Sequence, residues 1–396
     1  MHQYSRMDRA LASHIEADLS RKIVLPTGPR QSGKTTLARM LVKDYDSFNY
    51  DLAERRAALM EKSWRRDCDL VIFDELHKMK SWKSWIKGVY DTQGPAPAMM
   101  VTGSARLDTA RKMGDSLAGR FFQYRLHPLD VKEVKAEMAP EEALDRLLTL
   151  GGFPEPFLDG GEVFYGRWKK SHRDIILRQD LLDLESVGSI SDVETLIELM
   201  RRRVGGPAPC ASLARDLRRS PKTIRRWLDL LERMYIVFRV APYHRNIARS
   251  LLKEPKSSFY DTGQVLGDAG SRLENLVAGA LLKELHFLED VLGQSCRLHY
   301  LRDKEGREVD FLVTIDERPA LMVEVKWAEG GLSRSLPVFA RYLPGTPGVQ
   351  LVGELEREKS FESGLRIVRA APWLADLDLK AYGGSVLEAA TPATDL

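Results

Sequence analysis

The sequence predicts an α/β protein with a largely parallel sheet near its N-terminal end and further domains after it. Three observations carry this prediction. A phosphate-loop pattern at residues 28–35 stands between an apolar strand and an amphipathic helix. A second apolar run ends in adjacent carboxylates, Asp74 and Glu75, as ligand-binding strands of open α/β sheets do. The chain has 396 residues, which is long for a single domain.

The composition is typical of a folded, soluble protein, with 43% hydrophobic and 30% charged residues. The polar start MHQYSRMDRA has no signal-peptide core, and no apolar run is long enough to span a membrane. Cys68, Cys210 and Cys296 are scattered and odd in number, which fits a reducing compartment. We therefore expect a cytoplasmic protein with no membrane partner. Because the net charge is only +3, DNA binding requires a local basic patch.

The phosphate-loop pattern is GPRQSGKT, with KIVLPT before it as a buried strand and TTLARMLVKDY after it as a helix. Glycines let the backbone amides point at phosphates, and the helix N-terminus adds a favourable dipole. Lys34 is expected to reach the β- and γ-phosphates of ATP, and Thr35 to hold Mg²⁺. The alternative, a chance match in a turn, does not account for the flanking strand and helix. The predicted ATP-binding residues are Gly28, Gln31, Ser32, Gly33, Lys34, Thr35 and Thr36.

The apolar strand CDLVIFDEL supplies the second part of the predicted site. We expect Asp74 to hold Mg²⁺ and Glu75 to polarise the attacking water. A Glu directly after the Asp favours an ATP-hydrolysing motor or switch over a GTPase. The alternative, an Asp-Glu pair at a helix start, explains the charges but not their coincidence with the phosphate loop.

Two further residues are candidates for catalysis beside Lys34 and Glu75. Ser104 follows the apolar strand PAMMVT and is predicted to sense the γ-phosphate or orient water; its alternative role is a helix N-cap. Arg120 precedes the strand-like FFQYRL and is predicted to act as a finger on a neighbouring subunit's ATP. That role predicts a homo-oligomer, such as a ring. Its alternative is a surface arginine that pairs locally.

Several segments resemble the bacterial and archaeal AAA-type ATPases that carry a C-terminal domain of unassigned function. They are GPRQSGKTTL, VIFDELHKMKSWKSWIKGVYD, VTGSARL and SLAGRFFQYRLHPL, followed downstream by GGFPEP, YHRNIARSLLKEPKSSFYDTG, GREVDFLV and VEVKW. The sequence departs from that family at Pro26-Thr27, where apolar residues are usual. The resemblance implies ATPase activity, a helix-turn-helix region and a nuclease-like C-terminal part.

The segment ASLARDLRRSPKTIRRWLDLLERMYIVFRVAPYH predicts a helix-turn-helix with a following strand that forms a wing. Ser220 fits an N-cap and Pro221 the first helical position. The predicted buried face is Ile224, Trp227, Leu228, Leu231 and Met234. The predicted DNA-binding residues on the solvent side are Lys222, Arg225, Arg226 and Arg233. The alternative is a winged-helix fold that serves as a protein-interaction module.

Near the C-terminus, Arg307–Ile315 and Ala320–Trp327 predict two antiparallel strands. Their pairing brings Asp310, Glu324 and Lys326 together, and Glu274 arrives from the helix SRLENLVAGALLKEL. This set resembles the active site of the nuclease superfamily named for its Asp…Glu-x-Lys signature. The resemblance implies Mg²⁺ held by Glu274, Asp310 and Glu324, with Lys326 orienting the water or stabilising developing negative charge. The alternative is a fold retained without catalysis.

The predicted architecture has four segments. They are a P-loop AAA-type ATPase domain at 1–130, a helical lid or connector at 131–205, a winged-helix region at 206–262 and an α/β nuclease-like domain at 263–396. The predicted function is an ATP- and Mg²⁺-dependent motor or remodeller of DNA, such as a helicase. Two alternatives are an ATP-gated, metal-dependent DNA nuclease and a regulatory ATPase switch that binds a protein partner.

Overall fold

The structure, a computed structural model, describes residues 7–103, 117–177, 190–207, 209–244 and 254–383. The chain forms two compact units. The first unit comprises Met1–Leu129, Gly152–Gly188 and Leu228–Ile236, and the second comprises Asp130–Gly151, Ser189–Trp227 and Val237–Leu396. The four predicted segments do not coincide with these two units, and their boundaries stay a prediction. Within the described ranges, no helix is long and apolar enough to cross a membrane.

The first unit is built on a parallel sheet, which confirms the predicted α/β fold with a parallel sheet at the N-terminal end. Its five described strands have the order β2-β3-β4-β1-β5, and every pairing is parallel. The strands are β1 (Ile23–Thr27), β2 (Tyr45–Asn49), β3 (Leu70–Asp74), β4 (Ala98–Thr102) and β5 (Phe121–Arg125). All five residues of β1 are buried, as expected for a strand covered on both faces.

Helices cover this sheet, and aromatic side chains fill part of its core. Phe73 of β3 packs edge-on against Trp64 and Trp85, with ring centroids 5.3 and 5.7 Å apart. The described helices of the first unit are α1 (Ala12–Leu19), α2 (Lys34–Leu41), α3 (Ala53–Met60), α4 (Trp82–Gln93), α7 (Pro154–Asp159) and α8 (Glu162–Ile175). Helix α2 begins directly after the phosphate loop, and Leu37 and Ala38 are its buried apolar residues.

The second unit is built on a mixed sheet whose described strands have the order β12-β13-β11-β10-β9-β8-β6-β7. Strands β9 and β10 form the predicted antiparallel hairpin, and its turn residues Asp316 and Glu317 have positive φ angles of 48° and 65°. The strands are β6 (Val237–Pro242), β7 (Lys256–Phe259), β8 (Cys296–Arg302), β9 (Glu308–Ile315), β10 (Arg318–Ala328), β11 (Gly348–Glu354), β12 (Lys359–Ser360) and β13 (Leu365–Arg369).

Strand β6 contains most of the stretch predicted as a wing, and it is a member of this sheet. It pairs antiparallel with β7 and parallel with β8. The helices α5 (Val131–Val134), α6 (Pro140–Leu150), α9 (Ile190–Arg201), α10 (Cys210–Leu217), α12 (Ala269–Leu292), α13 (Ser335–Tyr342), α14 (Ala370–Ala375) and α15 (Lys380–Gly383) belong to the second unit. Helix α11 (Pro221–Arg233) contributes residues to both units.

Candidate functional site

The phosphate loop connects β1 to α2, and its backbone requires glycine at both ends. Gly28 has a φ of +135°, and a Cβ there would lie 2.3 Å from the Leu126 carbonyl oxygen. Gly33 has a φ of +94°. A left-handed backbone and a close carbonyl both exclude ordinary side chains. The loop can therefore curl tightly in front of the α2 N-terminus, where an anion is favoured.

Lys34 is buried, and its ammonium group turns back onto the loop. Its Nζ donates to the carbonyl oxygens of Gly28 at 3.1 Å and Pro29 at 2.5 Å. These carbonyls belong to the loop that would surround a phosphate. The ammonium is thus held beside the anion-binding turn and is able to exchange carbonyl oxygens for phosphate oxygens.

Two side chains that sequence reasoning missed hold the loop from outside. Arg9 donates to the carbonyl oxygens of Ser32 at 2.9 Å and His127 at 2.5 Å. His172 Nε2 donates to the Arg30 carbonyl oxygen at 3.2 Å. Burial lowers the pKa of His172 to about 4, so the ring is neutral near pH 7. No local motif marks these residues, because each meets the loop through contacts distant in sequence.

Asp74 lies at the carboxyl end of β3, and the two neighbouring strands fix its carboxylate. Thr102 Oγ1 at the end of β4 donates to Oδ1 at 2.6 Å. Asn49 Nδ2 at the end of β2 donates to Oδ2 at 3.3 Å. Strand β4 lies between β3 and β1, and both of its pairings are parallel. Asp74 and the phosphate loop therefore lie at the same side of the sheet, at the carboxyl ends of the strands. That edge is where ligands bind in open parallel sheets.

Glu75 follows Asp74 in a left-handed conformation, with a φ of 57°. This conformation is uncommon for a residue other than glycine and costs roughly 1–3 kcal/mol. Burial raises the pKa of Glu75, and the negative charge of Asp74 adds to the shift while Lys78 opposes it. A raised pKa suits a group that accepts a proton from water near neutral pH.

Most of the predicted ATP-binding residues border one cleft of about 550 Å³ in the first unit. Thr35 and Asp74 both line it, and the hard oxygens of these two side chains fit a Mg²⁺ ion bound with ATP. Met7, Met40 and Leu158 give it an apolar wall. The loop residues that line it are Arg30, Gln31, Gly33, Lys34, Thr35 and Thr36, and Glu75 is also present. Gly28 and Ser32 shape the loop behind this lining.

The two remaining candidates for catalysis have different outcomes. Ser104 lies outside the described residues. Arg120 pairs with Asp91 of the same chain, with Nε 2.6 Å from Oδ1 and one terminal nitrogen 3.2 Å from Oδ2. This is the local pairing that the sequence left open as the alternative to a finger. The role of Arg120 in a neighbouring subunit stays a prediction.

Helix α11 carries the predicted basic surface. Lys222, Arg225, Arg226 and Arg233 are all exposed, and the predicted apolar face from Ile224 to Met234 is buried. Ser220 caps the helix by accepting from the Thr223 amide at 3.1 Å. The amphipathic pattern is therefore confirmed, while DNA contact by the four basic residues stays a prediction.

A second group of polar residues lies in the β9–β10 hairpin. Asp310 Oδ2 accepts from the Val325 amide at 2.8 Å, across the two strands. Glu324 is 4% exposed and pairs with Lys326 at 2.8 Å. Burial raises the pKa of Glu324, and the negative charge of Asp310 raises it further. The hairpin thus brings the strand residues of the nuclease-like set near one another, as its register requires.

The structure adds Lys256 to this group, and sequence reasoning missed it. Lys256 begins β7 and is 1% exposed. Its Nζ lies 3.2 Å from Glu274, 2.6 Å from Glu308 and 3.4 Å from Asp310. A lysine in a short buried strand after a proline is the one sequence signal that marks it. We name Lys256, Glu274, Glu308 and Asp310 the lysine–carboxylate cluster.

The predicted metal ligands Glu274 and Asp310 therefore surround an ammonium group. Within the described ranges, no group of three or more His, Cys, Asp or Glu side chains is arranged to hold a metal ion. As they stand, the carboxylates of this cluster do not fit a divalent metal, because Lys256 occupies the space among them.

Family comparisons divide the chain into three parts. Residues 20–135 match the family model described as an AAA domain. Residues 141–267 and 269–370 match two models described as domains of unknown function (DUF8612 and DUF4143). The N-terminal part is therefore AAA-type and ATPase-like, and the resemblance is confirmed for this part and for C-terminal domains of unknown function. The winged-helix and nuclease-like details remain predictions.

Curated relatives extend over most of the chain. An uncharacterized protein of Mycobacterium tuberculosis is 27% identical over 348 residues, which cover 83% of this chain and 76% of the relative. An uncharacterized protein of Methanocaldococcus jannaschii is 22% identical over 357 residues, covering 81% and 78%. These relatives match both the N-terminal and C-terminal parts and carry no stated activity.

Solved structures match the chain only distantly. The Aeropyrum pernix Orc1 protein in complex with DNA is 12% identical, with a TM-score of 0.31, and covers 70% of this chain and 95% of its own. The S. cerevisiae Hsp104–ADP complex is 13% identical, with a TM-score of 0.28, and covers 56% and 38%. With TM-scores of this size, neither match bears on the function of this chain.

Proposed function

We propose that this protein binds ATP together with Mg²⁺ and hydrolyses it in the first unit. One observation carries the proposal. The phosphate loop and the Asp74–Glu75 pair border a single cleft at the carboxyl edge of a parallel sheet. Phosphoryl transfer needs positioning and charge stabilisation more than covalent chemistry, and this edge supplies both.

Each residue has a separate task in the proposed reaction. The loop amides and Lys34 bind the phosphates and stabilise the negative charge of the transferred phosphoryl group. Thr35 and Asp74 would hold Mg²⁺, which would supply positive charge to the phosphates of bound ATP. Glu75 orients water and accepts its proton. The apolar wall of Met7, Met40 and Leu158 suits the adenine ring.

Binding of labelled ATP to Lys34→Ala tests the phosphate-loop assignment. We expect affinity to fall by at least about tenfold, because a charge-assisted contact contributes roughly 1.5–3 kcal/mol. Lys43→Ala is the matched control, because Lys43 is exposed and does not line the cleft. Equal affinity in the wild type and Lys34→Ala contradicts the assignment.

We further propose that ATP hydrolysis serves a DNA-associated task, such as movement along or remodelling of DNA. The exposed basic row on α11 favours this over other uses, because clustered Lys and Arg are what a phosphate backbone binds. A regulatory switch with a protein partner is the alternative. ATPase rates measured with single-stranded, duplex and forked DNA separate the two, since only the first predicts stimulation by DNA.

A further inference from the structure

The lysine–carboxylate cluster is built around a cation that belongs to the chain itself. Lys256 is almost fully buried, and such a lysine is retained in its charged form only when carboxylates compensate it. Three carboxylates lie within ion-pair distance of its Nζ. The ring of Tyr300 lies 5.5 Å from the same atom and adds a cation–π contact.

The electrostatics of the cluster agree with a charged lysine. Burial lowers the pKa of Lys256, but attraction to Glu274, Asp310 and Glu308 outweighs it, and the net shift is upward. Burial, together with the negative charge of Asp310, raises the pKa of Glu274 to about 8. A nearby positive charge thus stabilises the ionised form of these carboxylates. The Lys256 ammonium supplies that charge without a metal.

Access to the cluster is restricted by the segment before α10. Gly205 has a φ of +85°, and a Cβ there would lie 2.5 Å from Glu274 Oε2. Pro207 forms an antiparallel bridge with Lys256. A glycine is needed where the backbone approaches a carboxylate this closely. The segment that contains Gly205 and Pro207 therefore packs onto the cluster, where a cleavage site would need space for a phosphodiester.

We propose that the Lys256 ammonium is the resident cation of the cluster formed by Glu274, Glu308 and Asp310. It pairs with Glu274 and Asp310, two of the three carboxylates to which the sequence resemblance assigns a divalent metal, and the third, Glu324, pairs with Lys326. The second unit consequently does not cleave DNA by a metal-dependent reaction. Removing the lysine charge exposes three carboxylates to one another and converts the cluster into a divalent-cation site, because hard oxygen ligands then converge without a counterion.

Binding of Mn²⁺ to the full-length, nucleotide-free protein tests the proposal. Free Mn²⁺ is measured by electron paramagnetic resonance for the wild type and for Lys256→Met, Lys304→Met, Asp310→Asn and Lys256→Met/Asp310→Asn. Lys304 is an exposed lysine of the same unit and serves as the matched control. We expect Lys256→Met to bind Mn²⁺ at least tenfold more tightly than the wild type and the control. The double variant is expected to lose this gain, and thermal unfolding of Lys256→Met is expected to shift upward with Mn²⁺.

Two results overturn the proposal. One is a folded Lys256→Met protein with wild-type Mn²⁺ affinity. The other is Mn²⁺ binding by the wild type that disappears in Asp310→Asn, since the native cluster would then accept the metal. If Lys256→Met folds only with Mn²⁺, the metal replaces the lysine and the proposal holds. If it does not fold at all, the comparison of wild type with Asp310→Asn decides. Loss of ATP hydrolysis is not an expected outcome of any variant, so the test is independent of the proposed ATPase.

Discussion

Thr102 Oγ1 donates a hydrogen bond of 2.6 Å to Asp74 Oδ1, and this contact joins the ends of two neighbouring strands of the first unit. The bond leaves the Asp74 carboxylate with a defined orientation at the edge of the cleft. A second hydrogen bond, from Asn49, fixes the other oxygen. The orientation of a metal-binding carboxylate depends on such supporting contacts, and their loss typically lowers metal affinity.

Thr102→Val is expected to weaken the use of Mg²⁺ in ATP hydrolysis. Valine keeps the shape of threonine but removes the donor, so Asp74 loses one orienting bond. We expect the Mg²⁺ concentration for half-maximal rate to rise by about 10-fold or more. Thr102→Ser retains the hydroxyl, so its Mg²⁺ concentration for half-maximal rate is expected to stay close to that of the wild type. A rate profile of Thr102→Val that matches the wild type removes this role.

His172 is expected to make the first unit sensitive to acid. Its pKa is about 4 in the folded chain, against an ordinary 6.5. As pH falls below 6.5, the unfolded chain takes up a proton that the folded chain does not. Stability is therefore fully present above pH 6.5 and is lost as pH falls towards 4, by at most about 3 kcal/mol. In His172→Gln the fall in unfolding midpoint between pH 7 and pH 4.5 should be smaller. Parallel pH profiles would show that His172 is not the cause.

Arg120 is predicted to act on ATP of a neighbouring subunit, although it pairs with Asp91 within its own chain. If it does, turnover per subunit rises with protein concentration. Mixing Arg120→Ala with Lys34→Ala, each inactive alone, should restore part of the activity, because some interfaces combine an intact arginine with an intact phosphate loop. A monomer with concentration-independent turnover excludes this role.

The basic residues of α11 are expected to carry DNA affinity. Replacing Lys222, Arg225 and Arg226 together with Ala should weaken binding to all DNA sequences and flatten its salt dependence. Each lost phosphate contact lowers the slope of log affinity against log salt by about 0.9 on duplex DNA. Fluorescence anisotropy at salt concentrations from about 50 to about 200 mM measures both the affinity and its salt dependence.

A control triple variant distinguishes this surface from a general effect of charge. It replaces the exposed residues Arg297, Arg341 and Arg357 of the second unit with Ala. Both triple variants lose three positive charges, so only a specific DNA surface on α11 makes them differ. Equal affinities and equal slopes in the two variants place the DNA contact elsewhere or favour the regulatory alternative.

Local patterns explain what the sequence could predict. The strand before Gly28, the apolar run that ends at Asp74 and the β9–β10 hairpin are each visible in one short run of consecutive residues. The spacing of their apolar side chains indicates which face is buried, and the turn residues indicate where the strands end. The amphipathic α11 follows from the same reasoning.

Long-range contacts explain what it could not predict. Arg9 donates to the His127 carbonyl oxygen, 118 positions away in sequence, and Lys256 donates to Asp310, 54 positions away. No local sequence pattern at Arg9 or Lys256 indicates these partners. The pairing of Arg120 with Asp91 is equally hidden, because an exposed ion pair leaves no trace in hydrophobic periodicity. These contacts depend on the order of strands in each sheet, which a single sequence does not specify.

Measurement of ATP binding and hydrolysis by Glu75→Gln tests the central claim most directly. Glutamine has the size of glutamate but cannot accept the proton of water, while Thr35 and Asp74 remain for Mg²⁺. The account predicts that the variant binds ATP as the wild type does and hydrolyses it about 10²–10⁴-fold more slowly. Hydrolysis by Glu75→Gln at the wild-type rate would contradict the account.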